Sequence, residues 1–327
     1  MADKPENFTL AEGIKKRARE PDWIFPELWE ARTAGMIAGD SGLGKTHFVM
    51  QILQAISQQG QPIPNTPFVC TKPRPVVYIS QEDEAQFLRD EFFIQNPALK
   101  KNEAACERIR IVSTYRQGPT LKLDNSDHIR MMESYLTQGC VFTLDSLITF
   151  AEGDISSPWY ASRQMELIRD LMKSCEGTAL VINHRPKKSA TGGQSGHLGA
   201  QHIRDAVRFF LILHNNGGDD RRLEFDKVNR GTKPADIALT MNNERRVFEP
   251  EKDEWIECFK PGERLTTEEV MKRMDLDPDN KKQKKKTTNA LRDRTGHNRP
   301  LKQLKKGHRG QVAVWQLNST WPEAAAA

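Results

Sequence analysis

One eight-residue segment restricts what this chain can fold into more than any other part of the sequence. It reads Gly39-Asp40-Ser41-Gly42-Leu43-Gly44-Lys45-Thr46 and fits the pattern GxxxxGK[ST]. The glycines of this pattern let the backbone curl, so that successive N–H groups point at one phosphate group. An apolar run precedes the segment and an amphipathic stretch follows it. The sequence therefore predicts a strand, a phosphate-binding loop and a helix, in that order.

Binding of ATP with Mg²⁺ is the function that this loop predicts. Lys45 is placed to reach the β- and γ-phosphates as a compact positive charge, and the Thr46 hydroxyl to bind the metal. We expect all eight residues and the following His47 to contact the nucleotide. The positive end of the helix dipole favours the same anion. The alternative interpretation is an ordinary glycine-rich turn.

Strand-like and helix-like segments alternate over the first 260 residues. The predicted strands are Gly35–Ala38, Val76–Ser80, Ile109–Ser113, Val141–Leu144, Ala179–Asn183 and Phe209–His214. The predicted helices are Thr46–Gln59, Glu84–Gln95, Ser126–Gln138 and Tyr160–Cys175. This alternation predicts an α/β fold with a mainly parallel sheet covered on both faces. The runs Arg222–Lys227 and Ile237–Met241 are interpreted as hairpin-like additions to that sheet, and the proline-rich Gln61–Pro75 as a surface loop.

A P-loop ATPase needs a second acidic group near magnesium, at the end of a buried strand. Asp145 directly follows the apolar run Val141–Leu144. Given the phosphate-binding loop upstream, we predict that Asp145 acts on the metal or on its water ligands. The alternative is that Asp145, with Ser146, caps a helix.

Hydrolysis also needs a side chain that orients the attacking water. The run Val76–Ser80 is followed by Gln81 and then by two carboxylates, Glu82 and Asp83. Parallel strands end at the same edge of a sheet, so we predict Glu82 as the general base beside the phosphates, with Asp83 able to cap the following helix. The alternative is that both carboxylates are solvated acids at a helix N-terminus.

A polar pair closes the next apolar run, and a glycine-rich loop follows it. We predict that Asn183 and His184 sense the γ-phosphate, the alternative being a structural histidine. The loop Arg185–Gly199 has no hydrophobic periodicity, and mobile loops at strand ends are where α/β proteins place ligand contacts. It is interpreted either as a grip on a nucleic-acid backbone or as a solvated charged loop. The proposed DNA-contacting cations of this loop are Arg185, Lys187, Lys188 and His197.

Two further cations follow a later strand. Lys227 and Arg230 lie in the segment Lys227-Val228-Asn229-Arg230-Gly231. In ring-shaped ATPases a cation from a neighbouring subunit completes the site, as an arginine finger does. On spacing alone, a basic turn is an equally simple interpretation.

The pattern changes near Lys260-Pro261-Gly262. From Pro261 to the end the chain has 15 Lys and Arg against 8 Asp and Glu, whereas the first 260 residues have 34 against 36. We predict a helix over Leu265–Leu276, a basic helix or loop over Lys281–Arg294, a short helical segment over Leu301–Lys306 and a strand over Gln311–Leu317. Helices followed by a turn and a strand suggest a small winged-helix-like domain.

The domain division follows from this change. We divide the chain into an N-terminal extension (1–20), an ATPase domain (21–258) and a basic C-terminal domain (259–327). Polyanions are the usual partners of an appended basic module, and a solvated tail is the alternative. The predicted DNA contacts of this module are Lys302, Lys305 and Arg309.

Other classes of protein are excluded by composition. The five cysteines are scattered, without a CxxC pair or a Cys/His cluster, so no zinc-type site is predicted. No stretch reaches the roughly 18 consecutive apolar residues of a membrane span. The first twenty residues are charged and lack the apolar core of a secretory signal, and we expect a cytoplasmic protein.

The ordered set of motifs points to one family. The segments are Pro21-Asp22-Trp23-Ile24, Gly35-Met36-Ile37-Ala38-Gly39 with the P-loop, Ser80-Gln81-Glu82-Asp83, Leu144-Asp145-Ser146, Asn183-His184 and Ile203-Arg204-Asp205-Ala206-Val207-Arg208. Over about residues 21–250 the chain resembles the RepA-type ATPases, which are plasmid and phage replicative helicases of the RecA/DnaB superfamily. The resemblance implies a RecA-like P-loop core and an origin in a bacterium, plasmid or phage.

Residue roles are also implied by this resemblance. It makes Glu82 the catalytic glutamate, Asp145 the second magnesium-side acid and His184 the histidine of the sensor strand. Lys227 falls where the family has a trans-acting lysine, with Arg230 as its accompanying finger. Relatives form hexameric rings, with ATP between subunits and single-stranded DNA in the central channel.

Two features depart from the family pattern. The segment Gly199-Ala200-Gln201-His202 stands where the family often has a Gly-Ser-Ser run. The basic C-terminal module is not part of the minimal helicase core, and it makes a regulatory or origin-targeting role more credible.

Three functions are compatible with the sequence. The first is a ring-forming replicative DNA helicase of a mobile element that hydrolyses ATP. The second is a DNA-binding ATPase that does not unwind, such as a loader, a recombination mediator or a replication regulator, whose C-terminal module holds duplex DNA. The third is a KaiC-like signalling ATPase without a nucleic-acid function, against which the basic tail argues.

Overall fold

A central sheet organises the larger part of the chain. The computed structural model describes residues 20–64, 66–184, 198–251, 255, 258–260, 263–293, 295, 301–305 and 313–317. Within those residues, a nine-stranded sheet lies beside a short antiparallel pair formed by β1 (Trp23–Phe25) and β2 (Trp29–Glu30). The sheet strands are β3 (Ala34–Gly39), β4 (Val76–Ser80), β5 (Ile109–Ser113), β6 (Val141–Asp145), β7 (Thr178–His184), β8 (Phe209–Gly217), β9 (Asp220–Val228), β10 (Ile237–Asn242) and β11 (Val247–Pro250).

The order of strands is β11-β10-β9-β8-β3-β7-β6-β4-β5. Neighbours from β5 to β8 pair in parallel, and β9, β10 and β11 continue the sheet antiparallel. This confirms the predicted α/β fold with a mainly parallel sheet, which is consistent with a RecA-like core. The two later runs are the predicted hairpin-like additions.

Helices cover both faces of the sheet. They are α1 (Lys45–Gln58), α2 (Ala85–Gln95), α3 (Glu103–Glu107), α4 (Ser126–Tyr135), α5 (Leu147–Phe150), α6 (Pro158–Ser174) and α7 (Leu198–Ala206). Successive side chains of a strand point to opposite faces, so Ile37 of β3 packs in one apolar core with α1 and α2. Its neighbours Met36 and Ala38 pack in the other core with α6 and α7. Among the described residues, no helix has the length and apolar character needed to cross a membrane.

The interpretation of Gln61–Pro75 as a surface loop is wrong for its apolar residues. Ile63 and Phe68 are fully buried. The Phe68 ring stacks on Phe225 of β9 at 5.5 Å between centroids and meets Phe25 edge-on at 5.4 Å. Prolines prevent the segment from joining a sheet, but they do not prevent its aromatic side chain from filling the core above α1.

A small C-terminal unit has its own core. Among the described residues it contains β12 (Arg264–Thr266), α8 (Thr267–Arg273), α9 (Lys281–Asp293), β13 (Leu301–Lys305) and β14 (Val314–Leu317). The three strands pair antiparallel in the order β12-β14-β13. Buried apolar side chains join them to the helices, and these are Phe259, Leu265, Val270, Leu291, Leu301 and Trp315.

One predicted element of this unit is wrong. Leu301–Lys306 was expected to be helical, whereas Leu301–Lys305 is a strand that pairs with Val314–Leu317. Leucines three residues apart suit a helix, but such a short run has no decisive periodicity, and pairing with a distant strand decides its conformation. The helix expected over Leu265–Leu276 begins at Thr267, where Thr266 and Glu269 form a capping box.

A buried polar cluster ties α1 and α2 to the hairpin between β10 and β11. The Glu91 carboxylate, whose side chain is 2% exposed, forms an ion pair with Arg246 and lies 3.2 Å from Nε2 of His47. Burial, assisted by the charge of Arg246, lowers the pKa of His47, so the imidazole is neutral and donates its Nε2–H to Glu91. Arg246 is therefore the cation that balances a buried carboxylate.

We expect the substitution Arg246→Ala to lower the free energy of unfolding by about 2 kcal/mol, because it leaves the buried Glu91 charge without its counter-ion. Urea unfolding followed by circular dichroism measures this change. Arg245→Ala is the matched control, since its pair with Glu249 is long (3.7 Å) and exposed, and removing it should change stability by less than about 0.5 kcal/mol. Equal unfolding midpoints for the two variants would contradict this account of Glu91.

Candidate functional site

The candidate site lies at the carboxyl edge of four strands. Parallel pairing aligns the ends of β3 and β7, where Gly39 is opposite His184. It also aligns the ends of β4 and β6, where Ser80 is opposite Asp145. The sheet order β3-β7-β6-β4 therefore brings residues that are far apart in sequence to one edge.

The loop between β3 and α1 has the backbone that its glycines predict. Gly42 and Gly44 have φ angles of 78° and 87°, a region that residues with a side chain rarely adopt. A Cβ at Gly39 would lie 2.6 Å from the carbonyl oxygen of Leu213 in β8. No side-chain hydrogen bond caps α1, so its first N–H groups remain available to an anion.

Lys45 spans this loop from below. Its Nζ donates to the carbonyl oxygens of Gly39 at 3.0 Å and Asp40 at 2.8 Å, and lies 3.2 Å from Nδ1 of His184. An ammonium group has only donors, so the Nδ1 of His184 must be the acceptor. Burial and the charge of Lys45 lower the pKa of His184, which agrees with a neutral imidazole.

Thr46 and Asp145 form the second half of the site. The Thr46 hydroxyl donates to Oδ2 of Asp145 at 2.9 Å, and the hydroxyl of the fully buried Tyr78 donates to the same oxygen. Burial raises the pKa of Asp145 to about 6, although the hydrogen bonds from Tyr78 and Thr46 act in the opposite direction. A buried carboxylate of this kind gains from a cation placed beside it.

The donor set fits magnesium. Mg²⁺ is usually held by one or two protein oxygens together with phosphate oxygens and water, and Thr46 and Asp145 supply two oxygen ligands at one point. Among the described residues, no group of three or more His, Cys, Asp or Glu is arranged to hold a metal alone. The two residues would therefore hold the ion in company with a nucleotide.

Glu82 lies next to this pair. It is exposed, and its Oε1 accepts a hydrogen bond of 2.7 Å from the hydroxyl of Ser146, the residue after Asp145. The Ser80 hydroxyl accepts hydrogen bonds from the backbone N–H groups of Glu82 and Asp83 at 3.1 and 3.3 Å. This turn fixes the direction in which Glu82 leaves the strand.

The capping roles that the sequence left open are not supported. Helix α2 starts after Glu84 and α5 after Ser146, and neither N-cap residue makes a side-chain capping hydrogen bond. Burial and the neighbouring Glu82 charge raise the pKa of Asp83, whose side chain lies beside the site rather than over α2.

Two functional candidates were missed from the sequence. Tyr78 and Ser146 hold the carboxylates of Asp145 and Glu82, respectively. A tyrosine inside an apolar strand looked like core, and its position two residues before the strand end is the signal that it reaches the site. Ser146 had been considered only as a helix cap.

The predicted trans-acting cations make contacts within the chain. Lys227 donates to the backbone oxygens of Arg204 and Asp205 at 2.9 and 3.0 Å, and Arg230 pairs with Glu30 at 3.0 Å. Arg204 itself forms an ion pair with Asp226 of β9. Their role toward a neighbouring subunit stays a prediction.

The predicted DNA contacts fall largely outside the described residues. Arg185, Lys187, Lys188, His197 and Arg309 lie there entirely. Lys302 and Lys305 have a described backbone in β13, but their side chains are not described.

Comparison with known proteins supports the ATPase interpretation. A family model described as an AAA domain matches residues 2–190, which is more than half of the chain. No curated protein matches the sequence. Among solved structures, the ATPase domain of a phage helicase is similar with 10% sequence identity and a TM-score of 0.47, over 68% of this chain and 85% of that one.

We expect Asp145→Asn to weaken the magnesium-dependent part of ATP affinity by roughly tenfold or more, because it removes the anionic oxygen beside Thr46. Titration of a fluorescent ATP analogue, with Mg²⁺ and with EDTA, separates this part from phosphate-loop binding. Asp83→Asn is the control, since it removes a neighbouring carboxylate that does not contact Thr46. An unchanged magnesium dependence in Asp145→Asn would show that this carboxylate does not act on the metal.

Proposed function

The chain belongs to the AAA domain family, and on that premise we propose that it hydrolyses ATP with Mg²⁺ and uses the cycle to act on DNA. The observation that carries the proposal is the convergence of Lys45, the Thr46–Asp145 pair and Glu82 at one edge of the sheet. Phosphate binding, metal binding and a water-orienting carboxylate are the parts that phosphoryl transfer to water requires.

Each residue has a distinct task in hydrolysis. The loop N–H groups and Lys45 hold the β- and γ-phosphates and stabilise the charge that grows on them. Bound Mg²⁺ would neutralise charge shared between these phosphates. Glu82 orients a water and accepts its proton while the water oxygen bonds to the γ-phosphorus and the bond to the β-phosphate oxygen breaks. ADP and inorganic phosphate are the products.

Ser146 and Tyr78 are positioning residues in this scheme. The Ser146 hydroxyl directs the Glu82 carboxylate, and Tyr78 fixes one Asp145 oxygen. Because Ser146 directly follows Asp145, the water-orienting and metal-binding groups are held by the same turn after β6. A shift at one group therefore reaches the other.

His184 connects nucleotide state to the chain beyond β7. Its Nδ1 accepts from Lys45, the group that also binds the γ-phosphate. A bound γ-phosphate competes with His184 and with the loop carbonyls for the same three protons. His184 is the last residue of β7, so a change in its hydrogen bond is transmitted to the segment from Arg185 onward.

The finer proposal is a helicase-type motor. Similarity of the motifs to RepA-type helicases supports a ring, with six subunits and single-stranded DNA in its channel, in which Lys227 and Arg230 serve a neighbouring site. A DNA-binding ATPase that loads or regulates other replication proteins is the second candidate. The concentration of basic residues in the C-terminal unit, proposed to be winged-helix-like, favours this second function.

We expect Glu82→Gln to lower the rate of ATP hydrolysis by roughly 10²–10⁴-fold with little change in nucleotide affinity, because an amide cannot accept the proton of water. Asp83→Asn, a matched substitution one residue away, should retain most of the activity. Steady-state phosphate release gives both rates, and the fluorescent-nucleotide titration gives the affinities.

The same assay with and without single-stranded DNA separates the two functions. A motor on single strands should show stimulated turnover that Glu82→Gln abolishes, together with unwinding that Lys45→Ala abolishes. Turnover that no DNA changes would exclude the motor and leave an ATP-gated assembly or regulatory protein.

A further inference from the structure

Helix α9 carries a face made almost entirely of exposed cations. Its exposed residues are Lys281, Lys282, Lys285, Lys286, Asn289 and Arg292. At about 100° per residue these six positions fall within an arc of roughly 140°. The opposite side holds Thr287 and Leu291, both fully buried. We call these six exposed residues the basic face of α9.

The cations of the basic face are not neutralised within the protein. In the part of the chain that the structure describes, the ion pair of α9 is between Lys284 and Glu268 of α8, and Lys284 lies outside the basic face. Lys281, Lys282, Lys285, Lys286 and Arg292 form no ion pair among the described residues. Their charge is therefore available to a partner.

This arrangement works against the stability of the helix itself. Five lysines lie in the first six residues of α9, at the positive end of the helix dipole, and no acidic residue lies in its first turn. Lys281 and Lys285, like Lys282 and Lys286, repel each other across one turn. A local rule broken without an internal compensation is typical of a functional surface.

The protein nevertheless holds the helix in a fixed place. Asn280 accepts hydrogen bonds from the backbone N–H groups of Lys282 and Gln283, each at 3.1 Å. Leu291 packs in the core with Val270 and Trp315. The basic face is thus presented on a rigid element whose apolar side is already covered.

We propose that the basic face of α9 binds duplex DNA in the major groove. The groove is about 12 Å wide and admits one α-helix. Asn289 lies near the middle of the arc, where its amide would meet base edges, with adenine as its preferred partner. Lysines and Arg292 on both sides of it would contact phosphates.

Other polyanionic partners fit this face less well. Single strands are gripped by stacking on aromatic rings, and the basic face contains only Lys, Arg and Asn. The major groove of RNA duplexes is too narrow for a helix. A membrane surface needs an apolar face to insert, and the apolar side of α9 is buried in its own core.

This inference deepens the proposed function, on which it rests for DNA as the substrate, but it does not require hydrolysis. It also moves the predicted contacts, because the sequence had nominated Lys302, Lys305 and Arg309 rather than α9. Duplex binding through α9 would tether the ATPase domain to a duplex while the P-loop site acts elsewhere.

The test uses the full chain and a fluorescent 25-base-pair DNA duplex without nucleotide, followed by anisotropy over a range of salt. Five phosphate contacts predict that the logarithm of the binding constant falls with the logarithm of salt with a slope of about −4.5. The variant Lys282→Ala/Lys285→Ala/Lys286→Ala/Arg292→Ala should lose about 3.6 of that slope. Its affinity at low salt should fall by at least roughly a hundredfold. Alanine favours the helix and relieves repulsion, and circular dichroism verifies folding.

The matched control removes the same charge from the ATPase domain. Lys100→Ala/Lys101→Ala/Arg130→Ala/Lys173→Ala changes four exposed cations and should leave duplex affinity within about threefold. Equal losses in the two variants, or no loss in the α9 variant, would overturn the proposal. RNA duplex of the same sequence should bind at least roughly tenfold more weakly, and equal affinity would overturn docking in the major groove.

Failure of this inference can be told from failure of the proposed function. Lys45→Ala should abolish hydrolysis and keep duplex affinity, whereas the α9 variant should keep basal hydrolysis and lose duplex affinity. Duplex affinity lost in the α9 variant supports the inference even if hydrolysis is not stimulated by DNA.

Discussion

The hydrogen bond between Thr46 and Asp145 is the contact on which the arrangement of the site depends. It joins the loop after β3 to the end of β6, two strands separated in the sheet by β7. The contact forms only because these strands are parallel and end at the same edge, which in turn requires helical crossovers on both faces. The two apolar cores that cover the sheet thus bring together groups 99 residues apart in sequence.

Much of this fold follows from local patterns. The limits of β4 and β5 agree with the predicted runs Val76–Ser80 and Ile109–Ser113, because branched apolar residues bounded by polar ones leave little freedom for a buried strand. The predicted site residues on strand ends meet for the same reason. What local patterns do not contain is partner choice: Leu301–Lys305 became a strand because Val314–Leu317 pairs with it. Phe68 was likewise assigned to the surface although its aromatic partners lie elsewhere in the chain.

The polar contacts that orient the site were less predictable than the catalytic groups themselves. Glu82 and Asp145 have recognisable positions after strands, whereas the residues that hold them, Ser146 and Tyr78, have no signature outside the folded state. The same holds for the Glu91 cluster, in which His47 beside the P-loop is fixed by α2 and Arg246 by the β10–β11 hairpin. Such contacts depend on the distance between elements, which a single sequence does not give. They also link the P-loop to the antiparallel edge of the sheet.

Helix α9 shows where stability and function diverge. In the ATPase domain, buried charges such as Glu91 and Asp145 have partners, as the low dielectric of the interior demands. On α9 the reverse arrangement holds: uncompensated lysines crowd the end of a helix where they repel one another, and water, with its high dielectric, makes this tolerable. The repulsion is relieved when phosphates approach, so part of the affinity for a polyanion is already stored in the free protein. A salt-sensitive contact of this kind can be made and released independently of the slow, buried chemistry at the P-loop, which suits a protein that must hold one stretch of DNA while it acts on another.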